Sequence, residues 1–359
     1  MIGNLANRIT TGAANAGRFL THIAGGKTED DRRPVAHFDV SDPRLERYFY
    51  CLVKFFDIAG FRVSLRFRPR LLLNLRNYND LLYNIGGMQI TYSQPAETAV
   101  TITDKGELAL KGDRLFIDVR YFEKEKHSAG FVFPYSMHPL IYDRGIYKTI
   151  SDLRTRERKM RIFSYFANLQ NYAGVEMNAV FGKLNRRQIG EEILSYPDSI
   201  PLNVIRRRSE LAMSRSGSPR LVAVDNLRIP FEDWLPTLAG ADFFVAAPGV
   251  LMPYCHNLIE SMAVGTVPIT EYPEMWDPPL EDRVNCIAFD GVADLRKRIC
   301  EVLEMSSDEV AEMRQAAIEY YDTWFDPVAA VSRLMENLPE LERLYLLAGH
   351  LSVTSIDRK

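Results

Sequence analysis

A chain of 359 residues exceeds one ordinary domain and suits two. Its 47% hydrophobic and 25% charged residues are those of a globular protein with a sizeable core, and a formal net charge of −3 argues against a general nucleic-acid binder. The four cysteines, Cys51, Cys255, Cys286 and Cys300, make no C-x-x-C pair, which points to free thiols in a reducing compartment, and no apolar run reaches the length of a membrane span.

Residues 1–33 stand apart. Up to Gly26 they hold two arginines and no acid, with Ile2, Leu5, Ile9, Phe19, Leu20 and Ile23 forming a loose apolar stripe if helical. Composition favours a docking helix followed by a linker; the competing reading is a peripheral membrane contact through residues 1–25. Pro34 opens a first α/β domain, 34–150. Val35–Val40 reads as a strand, Ser41-Asp42-Pro43 as a helix start, and Leu45, Phe49, Leu52, Val53 and Phe56 as the buried face of the helix that follows. The loop from Asp39 to Asp42 then lies at a strand's carboxyl end, where ligands of open α/β sheets gather. Leu71–Gly87 reads as a helix with its connection. Strands follow at 99–103, 114–119 and 130–134, the last leading to a polar loop tip at His138.

The basic run from Asp152 to Arg161 reads as a solvated linker helix; the competing reading has one or two of its basic residues, Arg158 among them, facing an interdomain phosphate. Met160–Ala167 starts a second α/β domain, 151–326. Its loop at 168–174 lacks G-x-G-x-x-G, so no dinucleotide fingerprint is present. Short elements are expected at 185–194, 202–205, 221–226 and 231–236. The most informative stretch is Val245–Pro273. Ala241–Ala247 is a short apolar strand; Pro253, His256 and Asn257 open a helix running to about Val264; Gly265 leaves it; and Val267–Thr270 is the next strand. That helix N-terminus, with its unpaired N–H groups at 254–257, suits a phosphate. Glu260 shares a helix face with His256, and its carboxylate can accept from the two hydroxyls of a ribose. Helices follow at 293–305 and 307–324, and a last one, 327–359, carries Leu334, Leu338, Leu341, Leu344 and Leu347 on its apolar side.

The run P-Y-x-x-N-L-I-E-S-M-A-V-G-T-V-P-I after a small-residue strand resembles the donor-sugar half of GT-B glycosyltransferases, and most of all the exostosin-like group, at Glu260, Ser261, Gly265, Pro268 and Ile269. The resemblance covers about 240–326. It implies an α/β protein of GT-B type: two Rossmann-like α/β domains facing an interdomain cleft, with the C-terminal helix returning to the first domain. It implies transfer of a sugar from a nucleotide-sugar donor to a glycan or other hydroxyl acceptor, in polysaccharide biosynthesis at a cytoplasmic location. Donor contacts would come from Gly249, Tyr254, His256, Asn257, Glu260 and Arg158, with Asn168 and Asn171 at the diphosphate.

Glycosyl transfer needs neutralised phosphate charge, a shielded oxocarbenium-like centre and a base for the acceptor hydroxyl. No D-x-D and no zinc-ligand spacing occurs, so no metal and no other cofactor is expected. Candidate bases are Asp39, Asp42 and His138, with His37 competing. An acid eight residues before Glu260 would mark many retaining enzymes; that position is Met252. A sugar-nucleotide epimerase of the same fold, or a non-catalytic glycan- or nucleotide-binding relative, are the rival readings.

Overall fold

The structure, a computed structural model, describes residues 17–18, 32–106, 113–126, 130–167, 169–172, 174, 176–197, 199–210 and 220–356. The reading of residues 1–33 therefore lies almost wholly outside the described residues. The chain divides into two compact units, one made of residues up to Pro139 together with those from Asp326, the other of Leu140–Phe325. The strands are β1 (Val35–Asp39), β2 (Arg62–Arg66), β3 (Gln89–Thr91), β4 (Thr98–Thr103), β5 (Arg114–Asp118), β6 (Gly130–Val132), β7 (Met160–Phe166), β8 (Leu202–Ile205), β9 (Leu221–Asp225), β10 (Ala241–Val245), β11 (Val267–Thr270), β12 (Ile287–Ala288) and β13 (Arg343–Tyr345).

The first unit holds a seven-stranded sheet in the order β3-β2-β1-β4-β5-β13-β6. Every pairing in it is parallel. Helix α1 (Glu46–Ile58) buries Phe49, Leu52, Val53 and Phe56, and Phe38 of β1 meets Phe49 and Phe56 edge-on at 6.0 and 5.6 Å. Two expectations fail in this unit. Leu71–Gly87 is not a helix: only Pro69–Leu72 is α-helical, and a 3-10 turn covers Asn79–Asn84. Asn77 and Tyr78 between them take positive φ (53° and 74°), which ends any helix. The tail is not one helix either. It stops at Asn337, and a 3-10 turn at Leu338–Glu340 holds Pro339, whose ring cannot continue an α-helix. β13 then enters the sheet between β5 and β6, and its Leu344 and Tyr345 open a consecutive buried run to Ala348. A continuous apolar run fits a strand buried on both faces. The leucines at 334, 338, 341, 344 and 347 keep helical spacing, but a short continuous apolar run such as 344–348 fits a helix and a buried strand alike.

The second unit holds a six-stranded sheet in the order β12-β11-β10-β7-β9-β8, also parallel at every pairing. The α/β class expected of the chain is thus present in both units. The longer helices of this unit are α2 (Arg186–Leu194), α3 (Phe231–Leu238), α4 (His256–Ala263), α5 (Gly291–Glu304) and α6 (Ser307–Trp324); α7 (Pro327–Asn337) belongs to the first unit and packs on α1. Asn185 with Gln188, and Ser306 with Glu309, form capping boxes that set the starts of α2 and α6. In this sheet β10 follows β9 in sequence but pairs with β7. The strands after β7 are added on one side of it and those from β10 on the other, so the strand order switches between β7 and β10, and the carboxyl ends of those two strands flank the crevice where such sheets take ligands.

Candidate functional site at the carboxyl edge of the second sheet

Three segments meet at that edge. One is the turn after β7, where Leu169–Tyr172 is a 3-10 helix. The second is the loop 246–255 after β10. The third is the start of α4, which begins at His256, three residues later than Pro253. Cys255, in extended conformation, is the residue from which α4 turns in (φ −136°, ψ 136°). The first-turn N–H groups of α4 give this edge a fixed partial positive charge. The loop is tight: a Cβ at Gly249 would stand 2.7 Å from the Tyr254 carbonyl oxygen and 3.0 Å from that of Met252. At the far end of α4, Gly265 takes φ 73°, and a Cβ there would meet Ile318 at 2.8 Å.

Arg186, at the first position of α2, holds the loop in place. Its Nε donates to the Pro248 carbonyl (3.0 Å), and its Nη2 to the Ala247 carbonyl (3.3 Å) and to Cys255 Sγ (3.1 Å). Its guanidinium lies 4.0 Å from the centre of the Tyr172 ring, joining the β7 turn to the β10 loop. Arg186 is only 4% exposed. Burial pushes the Cys255 thiol up, but the Arg186 guanidinium and then His256 outweigh it and hold the thiol below its ordinary value. The one signal in the sequence for Arg186 is an arginine at the capped start of a helix, one residue after Asn185.

Glu260 is fully buried. Its Oε2 accepts from Trp234 Nε1 at 2.6 Å and its Oε1 pairs with His256 Nδ1 at 2.9 Å. Trp234, on α3, is walled by Tyr165, Phe244 and Phe163 with ring centres 5.0, 6.1 and 6.3 Å away. The i, i+4 spacing of His256 and Glu260 does put both on one helix face. That face, however, looks into the protein at Glu260, so the expected direct ribose contact is corrected: both carboxylate oxygens serve protein donors. The arrangement instead orients the imidazole of His256, whose side chain is 27% exposed.

The other expected donor residues are distributed as follows. Asn257 is buried in the first turn of α4. Tyr254 is buried, with its hydroxyl donating to the Met275 carbonyl and its ring set edge-on against Trp276 at 4.8 Å. Asn171 is exposed in the 3-10 turn after β7, and Asn168 lies outside the described residues. Arg158 is a correction. Its guanidinium donates to the carbonyls of Ala241 (3.1 Å) and Val264 (2.6 Å) and to Thr266 Oγ1 (3.0 Å). Those groups mark the start of β10 and the end of α4, the opposite edge of the sheet from the crevice. Burial pulls its pKa down to about 9, with Arg314 adding to the fall. Glu271, just past β11, is a further residue of the carboxyl edge, with no motif in the sequence to mark it. Its buried carboxylate accepts from the N–H groups of Leu184 (2.6 Å) and Gly291 (3.0 Å), tying the starts of α2 and α5 to the same edge, and burial raises its pKa.

In the first unit the three candidate bases have separate neighbours. Asp39 is gripped by Arg68 through both oxygens (2.6–2.9 Å), with Lys105 at 3.5 Å and Arg66 at 3.6 Å. Asp42 caps the 3-10 turn Pro43–Leu45 through the Arg44 N–H and pairs with the Arg44 guanidinium, whose hydrogen bond holds its carboxyl below the usual range despite burial. His138 is buried with its ring edge-on to Tyr78 at 4.9 Å. Among the described residues no group of three or more His, Cys, Asp and Glu could hold a metal ion, and no helix is long and apolar enough to cross a membrane.

No protein-family model and no curated protein matches this chain. Among solved structures, Anabaena Alr3699/HepE in complex with UDP aligns at 12% identity over 86% of this chain and 100% of that one, with a TM-score of 0.44. The same protein in complex with UDP-glucose aligns at 13% identity, again over 86% and 100%, with a TM-score of 0.42. A glycosyltransferase from Rickettsia africae aligns at 9% identity over 88% and 83%, with a TM-score of 0.32. Scores this low record a distant likeness and say nothing of site or substrate here.

Proposed function

We propose that the chain is a glycosyltransferase that takes a sugar from a nucleotide-sugar donor and passes it to a hydroxyl acceptor. The observation that carries this reading is the edge between β7 and β10. There the N-terminus of α4 and a loop tightened at Gly249 and tied by Arg186 converge at the switch point of a parallel sheet. Helix N–H groups neutralise a departing diphosphate without moving, which is the main electrostatic demand of the reaction. His256, oriented by Glu260 and Trp234, presents its ring to the phosphates or the sugar. The Asn171 turn and the main chain of 254–257 complete the contacts to the diphosphate.

On the acceptor side we carry forward His138 as the base, because the carboxylates of Asp39 and Asp42 are already held by Arg68 and Arg44. The donor is bound by protein groups alone, without a metal. The acceptor is a glycan, and the exostosin-like assignment rests on the motif around Glu260. Product analysis tests the reading: with donor plus an acceptor series, a glycosylated product and free nucleoside diphosphate are expected. Conversion of the donor's sugar to a stereoisomer with no acceptor present would identify an epimerase instead. Binding of donor without either product would mark a non-catalytic relative.

A further inference from the structure

A second polar site lies within the first unit, on one face of its sheet. Alternate residues of a strand share a face. The register pairs His37 with Ser64 of β2 and with Thr101 of β4, Asp39 with Thr103, and Thr101 with Arg114 of β5. These side chains therefore line one face, while Ala36, Phe38, Val63, Leu65, Val100 and Ile102 form the apolar core on the other. A parallel sheet in an α/β protein ordinarily buries apolar residues on both faces. Here the polar face bounds a cavity of about 270 Å³ lined by His37, Asp39, Arg66, Gln94, Thr103 and Arg114, with Thr101. The share of one water in the liquid is about 30 Å³, so the space is that of a ligand with several heavy atoms.

Two buried groups that border it have no partner among the described residues: His37 Nε2 and Thr101 Oγ1. His37 is 1% and Thr101 4% exposed, so bulk water does not satisfy them. The other ring nitrogen, Nδ1, meets Ser64 Oγ at 3.0 Å, and Ser64 Oγ meets Thr91 Oγ1 at 3.1 Å. With Ser64 Oγ as the donor to Nδ1, the ring proton sits on Nε2, a buried N–H donor beside the cavity without a partner among the described residues. The charge balance selects the ligand. Asp39 is the one carboxylate in the lining, and Arg68 outside the lining already grips it. Arg66 and Arg114 bring two guanidinium groups to the lining, Arg66 at 3.6 Å from Asp39 and Arg114 in a 3.1 Å bond to Gln94 Oε1. A buried donor left unpaired is costly, and an acceptor oxyanion removes that cost at both His37 and Thr101.

We propose that this cavity binds a small oxyanion, a sugar-sized ligand carrying one phosphate or carboxylate group, received by Arg66, Arg114, His37 Nε2 and Thr101 Oγ1. The proposal rests on residues of the first unit alone and does not depend on the nucleotide-sugar reading. The probes are inorganic phosphate, glucose 6-phosphate and glucuronate, with glucose as the uncharged control, added to the 359-residue chain without nucleotide. Binding is read by calorimetry and by the His37 ring resonances in NMR. The anions are expected to bind one to one, to shift the His37 ring signals and to raise the His37 titration midpoint; glucose is not. Glucose 6-phosphate alone, or glucuronate alone, binding in this way identifies phosphate or carboxylate as the recognised group. Arg66→Gln and Arg114→Gln should each weaken the anion about ten-fold or more, the loss of one charge-assisted contact. The wild-type NMR titration needs no variant to fold. Unmoved His37 signals at about 10 mM anion, glucose binding as tightly as the anions, or undiminished affinity in both folded arginine variants would overturn the proposal.

Discussion

Glu260 offers the sharpest test of how the second unit is built. Glu260→Ala leaves the indole N–H of Trp234 buried beside Phe163, Tyr165 and Phe244, without its 2.6 Å acceptor. An orphaned buried donor costs about 1–3 kcal/mol, and the cavity left by a fully buried side chain adds about 2 kcal/mol. The sum, roughly 3–5 kcal/mol, lowers Tm by about 6–20 °C for a unit of this size. Glu260→Gln behaves differently. Its amide oxygen can still accept from Trp234, but its NH2 then faces His256 Nδ1, now 2.9 Å from a carboxylate oxygen. The imidazole must turn Nδ1 into an acceptor and carry its proton on Nε2. The Gln variant should therefore lose only about 1–2 kcal/mol of stability, keep its fold, and show the opposite His256 tautomer by nitrogen NMR, with weaker donor binding. Thermal melts and calorimetry with UDP-glucose on both variants make the comparison. A Glu260→Ala protein melting with the wild type would refute the reasoning, because it would mean that neither hydrogen bond is made.

Gly249→Ala forces the 246–255 loop to open, since the added Cβ meets two carbonyl oxygens at 2.7 and 3.0 Å; a cost of about 1–3 kcal/mol and a clear loss of donor affinity are expected by melting and calorimetry. Donor binding should survive EDTA, and affinity that vanishes with the chelator and returns with Mn²⁺ would contradict binding by protein groups alone. Burial lowers the pKa of His37 from its ordinary 6.5, so the folded chain holds fewer protons there than the unfolded chain. Its contribution is whole above pH 6.5 and falls as the pH drops below that value toward the folded-state pKa; His37→Gln should flatten this part of a urea-midpoint curve, and saturating phosphate should do the same in the wild type.

The elements set by short-range chemistry were legible in the sequence. The run 241–270 reads as strand, loop, helix, glycine and strand, and folds so, because Gly265 and the apolar strands bound it without competition. The capping box at Ser306 and Glu309 likewise places α6 where it begins. What was not legible depends on neighbours far along the chain. Whether Glu260 faces water or the core is decided by Trp234, 26 residues earlier. Arg158 and Arg186 are both arginines near helices, yet the fold sends one to the amino edge and the other to the carboxyl edge of the same sheet. β13 has three residues and acquires strand geometry only from β5 and β6, more than 200 positions away. Its attachment uses the ion pair of Arg343 with Asp118, also bound by Arg120.

The central claim, that the edge between β7 and β10 holds a nucleotide-sugar diphosphate, is tested most directly by hydrogen exchange with and without UDP-, GDP-, dTDP- and CMP-sugars. A donor at one hundred times its dissociation constant should add about 2.7 kcal/mol of stability, with new protection concentrated at 169–172 and 246–258. No stabilisation by any of the four, or protection that falls outside those two segments, would contradict the account.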